Sequence, residues 1–311
     1  HRTKQGLLVT IDRLTDALLT QLCAFVDTNV AIELINAKLL TSYLNRVVVT
    51  SIDHLKMTSF VDDVNFMEMS PEDFLQTHDE QPMDTELFVE LMSRFYDLGW
   101  MKGTGGAMGC IAGDNLLISP SALQKDRLKT SDIFVYDLRN KVQVQRPTNP
   151  KVDVSSCSVL FSLVMKRTGS KCVIHSHGKT ANLITQLVKS NLFEISHQEY
   201  IKGVYDPFTG KNLSYEDTLS IPVIENQSHE GQLLPDLDAC LKAHQRSCAV
   251  LVRNHGLFVW GLTWEKTKIM TECIDYLLDL AIDMIRHEIP LVKEDATESV
   301  NPSENYHHIF Y

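Results

Sequence analysis

Two imidazoles spaced two residues apart, in Val173-Ile174-His175-Ser176-His177, are the sharpest chemical signal in this sequence. Alternate residues of a β-strand share a face, so His175 and His177 would stand close enough to share one divalent metal ion. The pair alone is also what two ordinary hydrogen-bonded histidines on a strand look like. A third imidazole, His255, lies in Val252-Arg253-Asn254-His255-Gly256, at the end of an apolar run and before a glycine. A turn there can present the side chain into a cleft. Three imidazoles on zinc leave one coordination position open, as a catalytic centre requires.

Chemistry at a carbon beside a carbonyl also needs a proton handler. Glu199, in His197-Gln198-Glu199-Tyr200-Ile201-Lys202-Gly203, is the candidate acid/base, with Glu194 and Glu225 as weaker alternatives. Gly99-Trp100-Met101-Lys102-Gly103-Thr104-Gly105-Gly106 holds four glycines in eight positions, so backbone amides can turn toward an anion without Cβ clashes. It lacks the last glycine of a dinucleotide fingerprint and follows a helical pattern rather than a strand, which disfavours NAD. Ile118-Ser119-Pro120-Ser121 supplies hydroxyls and amides for a second wall of a phosphate site, making Gly106 and Ser121 candidate substrate contacts. Cys157 opens a predicted helix, whose dipole would favour a thiolate or orient the thiol toward a ligand.

The elements that must position these residues alternate between helical and strand patterns, an α/β arrangement. Leu87, Leu91, Phe95 and Leu98 recur at helical spacing before Gly99, and a further helix is predicted over Ser155–Lys166, closed by Gly169. Strands are predicted at Asn115–Ile118, Ile133–Tyr136, Cys172–His177, Leu219–Ile224, Cys248–Arg253 and Leu257–Trp260. Behind Thr263 as N-cap, Ile269, Met270, Cys273, Ile274, Leu277, Leu278, Ala281 and Ile282 form one apolar stripe. Upstream, Ile11–Leu44 carries helical spacing, Arg46–Ile52 is a β-branched stretch, and Val61–Glu86 reads as an acidic linker. The organisation expected is an N-terminal extension and linker over 1–82, a catalytic domain over 83–290 and a polar tail over 291–311.

With 44% hydrophobic residues in 311, the chain can bury a full core, which excludes wholesale disorder. A net charge of −11 disfavours nucleic acid and anionic membrane surfaces, leaving small molecules or proteins as partners. No apolar run approaches the roughly 18 to 20 residues that span a bilayer. Seven irregularly spaced cysteines are no disulfide framework and point to a reducing, cytoplasmic setting. The first residue is His1, so the numbering is expected to start inside a longer gene product.

Taken in order, Gly-Trp…Gly-Thr-Gly-Gly, Ile-Ser-Pro-Ser, Ser-Ser-Cys, Val-Ile-His-Ser-His, His-Gln-Glu-Tyr-Ile-Lys-Gly, Ile-Pro-Val-Ile-Glu-Asn and Cys-Ala-Val-Leu-Val-Arg-Asn-His-Gly…Val-Trp-Gly resemble one family. From Leu87 to Ile289 the chain resembles the class II aldolase/adducin superfamily, in the animal form of its methylthioribulose-1-phosphate dehydratase branch. The resemblance implies a three-layer α/β/α fold with a central, mainly antiparallel sheet, and a homotetramer with active sites near subunit interfaces. It implies one zinc ion per subunit on His175, His177 and His255, Glu199 as proton donor/acceptor and Cys157 as a substrate contact. The implied substrate is a sugar phosphate, 5-methylthioribulose 1-phosphate, from which water is removed in methionine salvage. An apoptosome component is implied as a further partner of animal relatives. A sugar-phosphate aldolase and a non-catalytic adducin-like interaction protein are the alternatives. Ala107, Gly109 and Ala122 depart from the family's phosphate-loop pattern and raise the expectation of altered phosphate binding.

Overall fold

A computed structural model describes residues 2–3, 6–9, 32–34, 69 and 81–293. Chain contacts divide it into a unit over 1–59 and a unit over 60–311. In the first, strands β1 (Arg2–Thr3), β2 (Gly6–Val9) and β3 (Ile32–Leu34) form a small sheet in that order. The helical spacing over 11–44 outside β3, the stretch 46–52, most of the linker and the tail beyond 293 lie outside the described residues.

In the second unit, caps and apolar stripes set the helices. Asp84 accepts a hydrogen bond from the Leu87 amide at 2.8 Å and starts α1 (Thr85–Asp97), which buries Leu87, Phe88, Leu91, Met92 and Phe95. The chain leaves it through Gly99 at φ 88°, a left-handed turn that glycine enters freely. Strands β4 (Ala107–Ala112), β5 (Asn115–Ile118), β6 (Phe134–Asp137) and β7 (Val142–Gln145) follow. Helix α2 (Ser158–Thr168) ends at Gly169 with φ 70° and leads into β8 (Cys172–Ser176), which carries His175. Next come α3 (Lys179–Leu187), β9 (Leu192–Ser196), the short pair β10 (Tyr205–Asp206) and β11 (Lys211–Asn212), and β12 (Thr218–Ile224). The chain closes with α4 (Leu234–Ala243), β13 (Ala249–Val252), β14 (Gly256–Gly261) and α5 (Trp264–Arg286).

One nine-stranded sheet runs β7-β6-β5-β4-β8-β14-β13-β12-β9, antiparallel at every neighbour except the parallel pair β12 and β13. Alternate residues feed opposite faces. Val173, Val250, Phe258 and Trp260 pack with α2 and α4, while Ile174 packs toward α1, and Leu251, Leu257 and Val259 toward α3 and α5. The fold is therefore three layers, α/β/α, with a mainly antiparallel central sheet.

Several predicted boundaries shift by one to three residues. Helix α2 starts at Ser158 rather than Ser155, because Ser155 to Cys157 form a turn in which the Ser155 hydroxyl accepts from the Cys157 amide at 3.3 Å. In α5 the stripe residues Met270, Ile274, Leu277, Leu278, Ala281 and Ile282 are buried, whereas Cys273 is half-buried and Ile269 stays 49% exposed. Among the described residues, no helix is long and apolar enough to cross a membrane.

Candidate metal centre and active site

Strand alternation puts His175 on the α2 face of β8, and the next position of that face, His177, lies just past the strand end. His175 is fully buried, its ring stacked on Phe258 with centroids 3.9 Å apart. Its Nδ1 donates to the Leu257 carbonyl at 3.2 Å, leaving the Nε2 lone pair pointing away. His255, in the turn between β13 and β14, is oriented the same way: its Nδ1 lies 3.0 Å from Asn226 Oδ1. The three Nε2 atoms converge, His177 to His175 at 2.8 Å and His177 to His255 at 2.9 Å. A carboxylate oxygen of Glu230 joins them, all four donor atoms lying within 4.8 Å of one another.

Burial is the main cause of a depressed pKa at all three histidines. His175 is held well below its usual value, with the neighbouring imidazoles adding to the effect. His177 falls to about 4, first by burial and then by His255. His255 is lowered by burial against the opposing pull of Glu230. Near neutral pH all three rings are thus uncharged, the form that ligates a metal. Three neutral imidazole nitrogens, two of them oriented by partners on Nδ1, and one carboxylate fit a divalent transition metal, with room beside them in a cleft of about 740 Å³ lined by Ser156, His177, Asn226, Glu230 and His255.

The glycines flagged in the sequence act largely through these histidines. A Cβ on Gly105 would sit 2.5 Å from His177 Nδ1, and one on Gly256 would sit 2.1 Å from the Ser176 carbonyl oxygen. Gly106 has φ 70°, and its Cβ would meet Met101 Cγ at 2.6 Å. The His177 amide donates to the Trp100 carbonyl at 2.7 Å, and the Trp100 indole donates to Asp275 at 2.9 Å. The Gly-Trp segment is therefore a brace for the second histidine.

Several expectations change. Ala107 and Gly109 belong to β4 and not to an anion loop: Ala107 pairs with His175, and a Cβ on Gly109 would meet Phe161 at 2.8 Å. Their departure from the family pattern therefore bears on packing behind the sheet. Ala122 does sit in the loop, at φ 56°, the left-handed region that an L side chain enters at a cost of about 1–2 kcal/mol. Cys157 occupies the N-cap of α2, yet burial first and then Glu230 push its thiol well above the usual value, overriding the helix dipole. It faces the site as a neutral thiol.

Glu199 opens a 3-10 turn over Glu199–Gly203, its side chain 70% exposed and 2.7 Å from Lys202 Nζ. It follows β9, the edge strand four places from β8 in the sheet. At a strand spacing of about 4.8 Å, that is roughly 19 Å. Ser196 pairs with Thr218, at the opposite end of β12 from Ile224, whose partner is Val252 beside the His255 turn. One chain therefore does not bring its own Glu199 to its own histidines. The functional candidates that sequence reading missed are Glu230 and Asn226. Asn226 stood inside the quoted Glu-Asn motif; Glu230 is a single charged residue in a polar segment with no spacing signal.

This architecture has known relatives. Residues 86–282 match the family model for the class II aldolase and adducin N-terminal domain. The chain belongs to the class II aldolase and adducin family. A Caenorhabditis elegans protein named probable methylthioribulose-1-phosphate dehydratase is 61% identical over 243 residues, covering 78% of this chain and 92% of that protein. The Gallus gallus methylthioribulose-1-phosphate dehydratase is 41% identical over 213 residues, 68% of this chain and 88% of its own length. Among solved structures, an L-fuculose 1-phosphate aldolase superposes with a TM-score of 0.53 at 19% identity, covering 70% of this chain and 94% of that one. At that identity the likeness speaks for the fold.

Proposed function

We propose that the protein is a metal-dependent hydro-lyase that removes water from 5-methylthioribulose 1-phosphate to give 2,3-diketo-5-methylthiopentyl 1-phosphate, a step of methionine salvage. The observation that carries this reading is the convergence of three neutral imidazole Nε2 atoms in one cleft of a chain 61% identical to a named dehydratase. His175, His177 and His255 would hold zinc, which when bound supplies Lewis-acid polarisation of a carbonyl and its neighbouring hydroxyl. The cleft then binds the sugar phosphate, with Cys157, Gly106 and Ser121 as its contacts and Glu199 as the proton donor/acceptor. Glu199 takes the proton from the hydroxyl-bearing carbon next to the carbonyl. The electron pair of that C–H bond forms the enediolate, whose collapse back to the carbonyl expels the next hydroxyl. Glu199 returns its proton to the departing hydroxyl as water, and ketonisation yields the diketone.

Since each chain keeps Glu199 beyond the far end of the sheet from its own histidines, the acid/base is assigned to the centre of a neighbouring copy in a homotetramer. An exposed aromatic pair beside Glu199 supports an interface there: Tyr200 and Tyr276 stack at 4.0 Å while 46% and 48% exposed. The setting is the cytoplasm, supported by the thiols of Cys157, Cys172, Cys240, Cys248 and Cys273, which form no disulfide among the described residues. Mixing two inactive variants tests this account. His175→Ala is expected to lose zinc and turnover, and Glu199→Gln to keep zinc and lose turnover. Oligomers reassembled from both are expected to regain part of the activity, because intact histidines of one copy meet the intact Glu199 of another. Full activity of Glu199→Gln alone would remove Glu199 from the mechanism, and no recovery on mixing would contradict its action between copies.

A further inference from the structure

Two segments must meet for the third histidine to be oriented: Asn226, just past the end of β12, and His255, in the turn after β13. The parallel ladder between these strands ends at Ile224 opposite Val252. The next residue on each side is charged. Arg253 Nε lies 2.7 Å from Glu225 Oε1, and the Arg253 amide donates to the Ile224 carbonyl at 2.9 Å. The ion pair adds a side-chain rung beyond the last backbone one, directly before Asn226 on one segment and two residues before His255 on the other.

An exposed ion pair alone holds little, and the Glu225 side chain is 62% exposed. The Arg253 side chain is only 17% exposed and reaches further. Its Nη1 donates to the Thr185 carbonyl at 2.6 Å and the Val188 carbonyl at 3.1 Å. Its Nη2 donates to the Ser190 carbonyl at 3.3 Å and to Asn191 Oδ1 at 3.0 Å. With Nε on Glu225, every N–H of the guanidinium is engaged. Thr185 is in the last turn of α3 and Val188 is its C-cap, where carbonyls lack intrahelical partners and the dipole favours a cation. The Asn254 amide, between Arg253 and His255, donates to Thr185 Oγ1 at 2.9 Å on the same helix end. The other end of α3 begins at Lys179, two residues after His177. Arg253 therefore ties together the His255 turn, the Asn226 segment and the helix that leaves His177.

We infer that Arg253 is the positioning residue of the third imidazole: its guanidinium fixes His255 against the Asn226 oxygen that sets the ring's tautomer, and holds both on the helix that follows His177. This rests on the metal-centre reading above. An imidazole without its Nδ1 partner can rotate and change tautomer, and such partners are worth about 10- to 100-fold in metal affinity. Lysine cannot take the place, because the donors of one ammonium nitrogen do not span a carboxylate on one side and the end of a helix on the other.

The test uses cobalt(II) as probe on the full-length protein freed of metal, because its visible absorption depends on the number and arrangement of its ligands. His255→Ala supplies the reference spectrum of a centre without its third imidazole. Arg253→Met is expected to bind cobalt about 10-fold more weakly or worse and, at saturation, to shift from the spectrum of the unsubstituted protein toward that of His255→Ala. Unchanged affinity would overturn the inference, and so would weaker binding with an unshifted spectrum, which marks general destabilisation. If Arg253→Met does not accumulate as folded protein, the exposed Glu225 decides. Glu225→Ala is expected to weaken cobalt binding with the same spectral shift, and Glu225→Gln, which keeps an acceptor for Nε, to restore both. Cobalt binding by Glu225→Ala equal to that of the unsubstituted protein would overturn the inference. These results leave the metal-centre reading standing, whereas an unsubstituted protein that binds no cobalt would overturn that reading and this inference together.

Discussion

Neutral imidazole is the metal-binding form, and burial holds His175, His177 and His255 in it. The same burial has a consequence for the metal-free protein. The unfolded chain takes up protons at the ordinary histidine value of about 6.5, whereas native His177 resists until about 4. Stability is therefore full above about pH 6.5 and falls as the pH drops toward 4, because the unfolded state binds more protons there. From His177 alone the loss between pH 7 and pH 5 is about 2 kcal/mol. Urea denaturation of chelator-treated protein at the two pH values is expected to show it, and equal midpoints would contradict the neutral, buried assignment. Steric fit gives a second prediction at this scale. Gly105→Ala drives a Cβ into His177 Nδ1, so zinc affinity is expected to fall 10-fold or more with little change in melting temperature. Chelator competition measures it, and undiminished affinity would show that the ring has room to move. The three histidines were legible because strand alternation and a strand-end glycine are local patterns. Glu230 was not, because what makes it a candidate is its meeting with histidines 25 to 55 residues away along the chain.

Sequence patterns located elements in proportion to the strength of their local periodicity. The amphipathic α1 and α5, with Asp84 and Thr263 as caps, and the β-branched strands β5, β8, β12, β13 and β14 were readable within a few residues. Strand β4 was read as part of a glycine loop, because Gly109 interrupts a run of modest β-propensity; only the packing of Phe161 against that glycine explains the choice. Helix α3 starts at Gly178 with no side-chain cap, so no sequence signal marked it. Helix α4 did carry one, Pro235 in its first turn with Leu234, Leu237 and Leu241 at helical spacing. The pairing of β14 with β8 is the element-scale contact on which the centre depends, since it sets Phe258 opposite His175. Gly256→Ala places a Cβ 2.1 Å from the Ser176 carbonyl, backbone against backbone with no flexible side chain to yield. Overpacking of this kind costs about 1–3 kcal/mol. The variant is expected to melt several degrees lower and to bind zinc more weakly; an unchanged melting temperature would mean that the two strands separate there without cost.

At the scale of the whole molecule, the nine-stranded sheet between two helical layers explains why the parts of the site come from distant stretches of chain. His175 rides a central strand, His255 the adjacent hairpin turn and Glu230 the approach to α4. Glu199 departs from this plan at the far edge, and that placement depends on the sheet order, which no local pattern encodes. On the proposed assignment of Glu199 as acid/base, association between copies is part of the chemistry. The central claim, that the centre removes water and does not cleave carbon–carbon bonds, is tested most directly by incubating zinc-loaded protein with 5-methylthioribulose 1-phosphate and following the products by mass spectrometry. The account predicts a single phosphorylated product lighter than the substrate by one water. Two carbon fragments would contradict it and make the protein an aldolase.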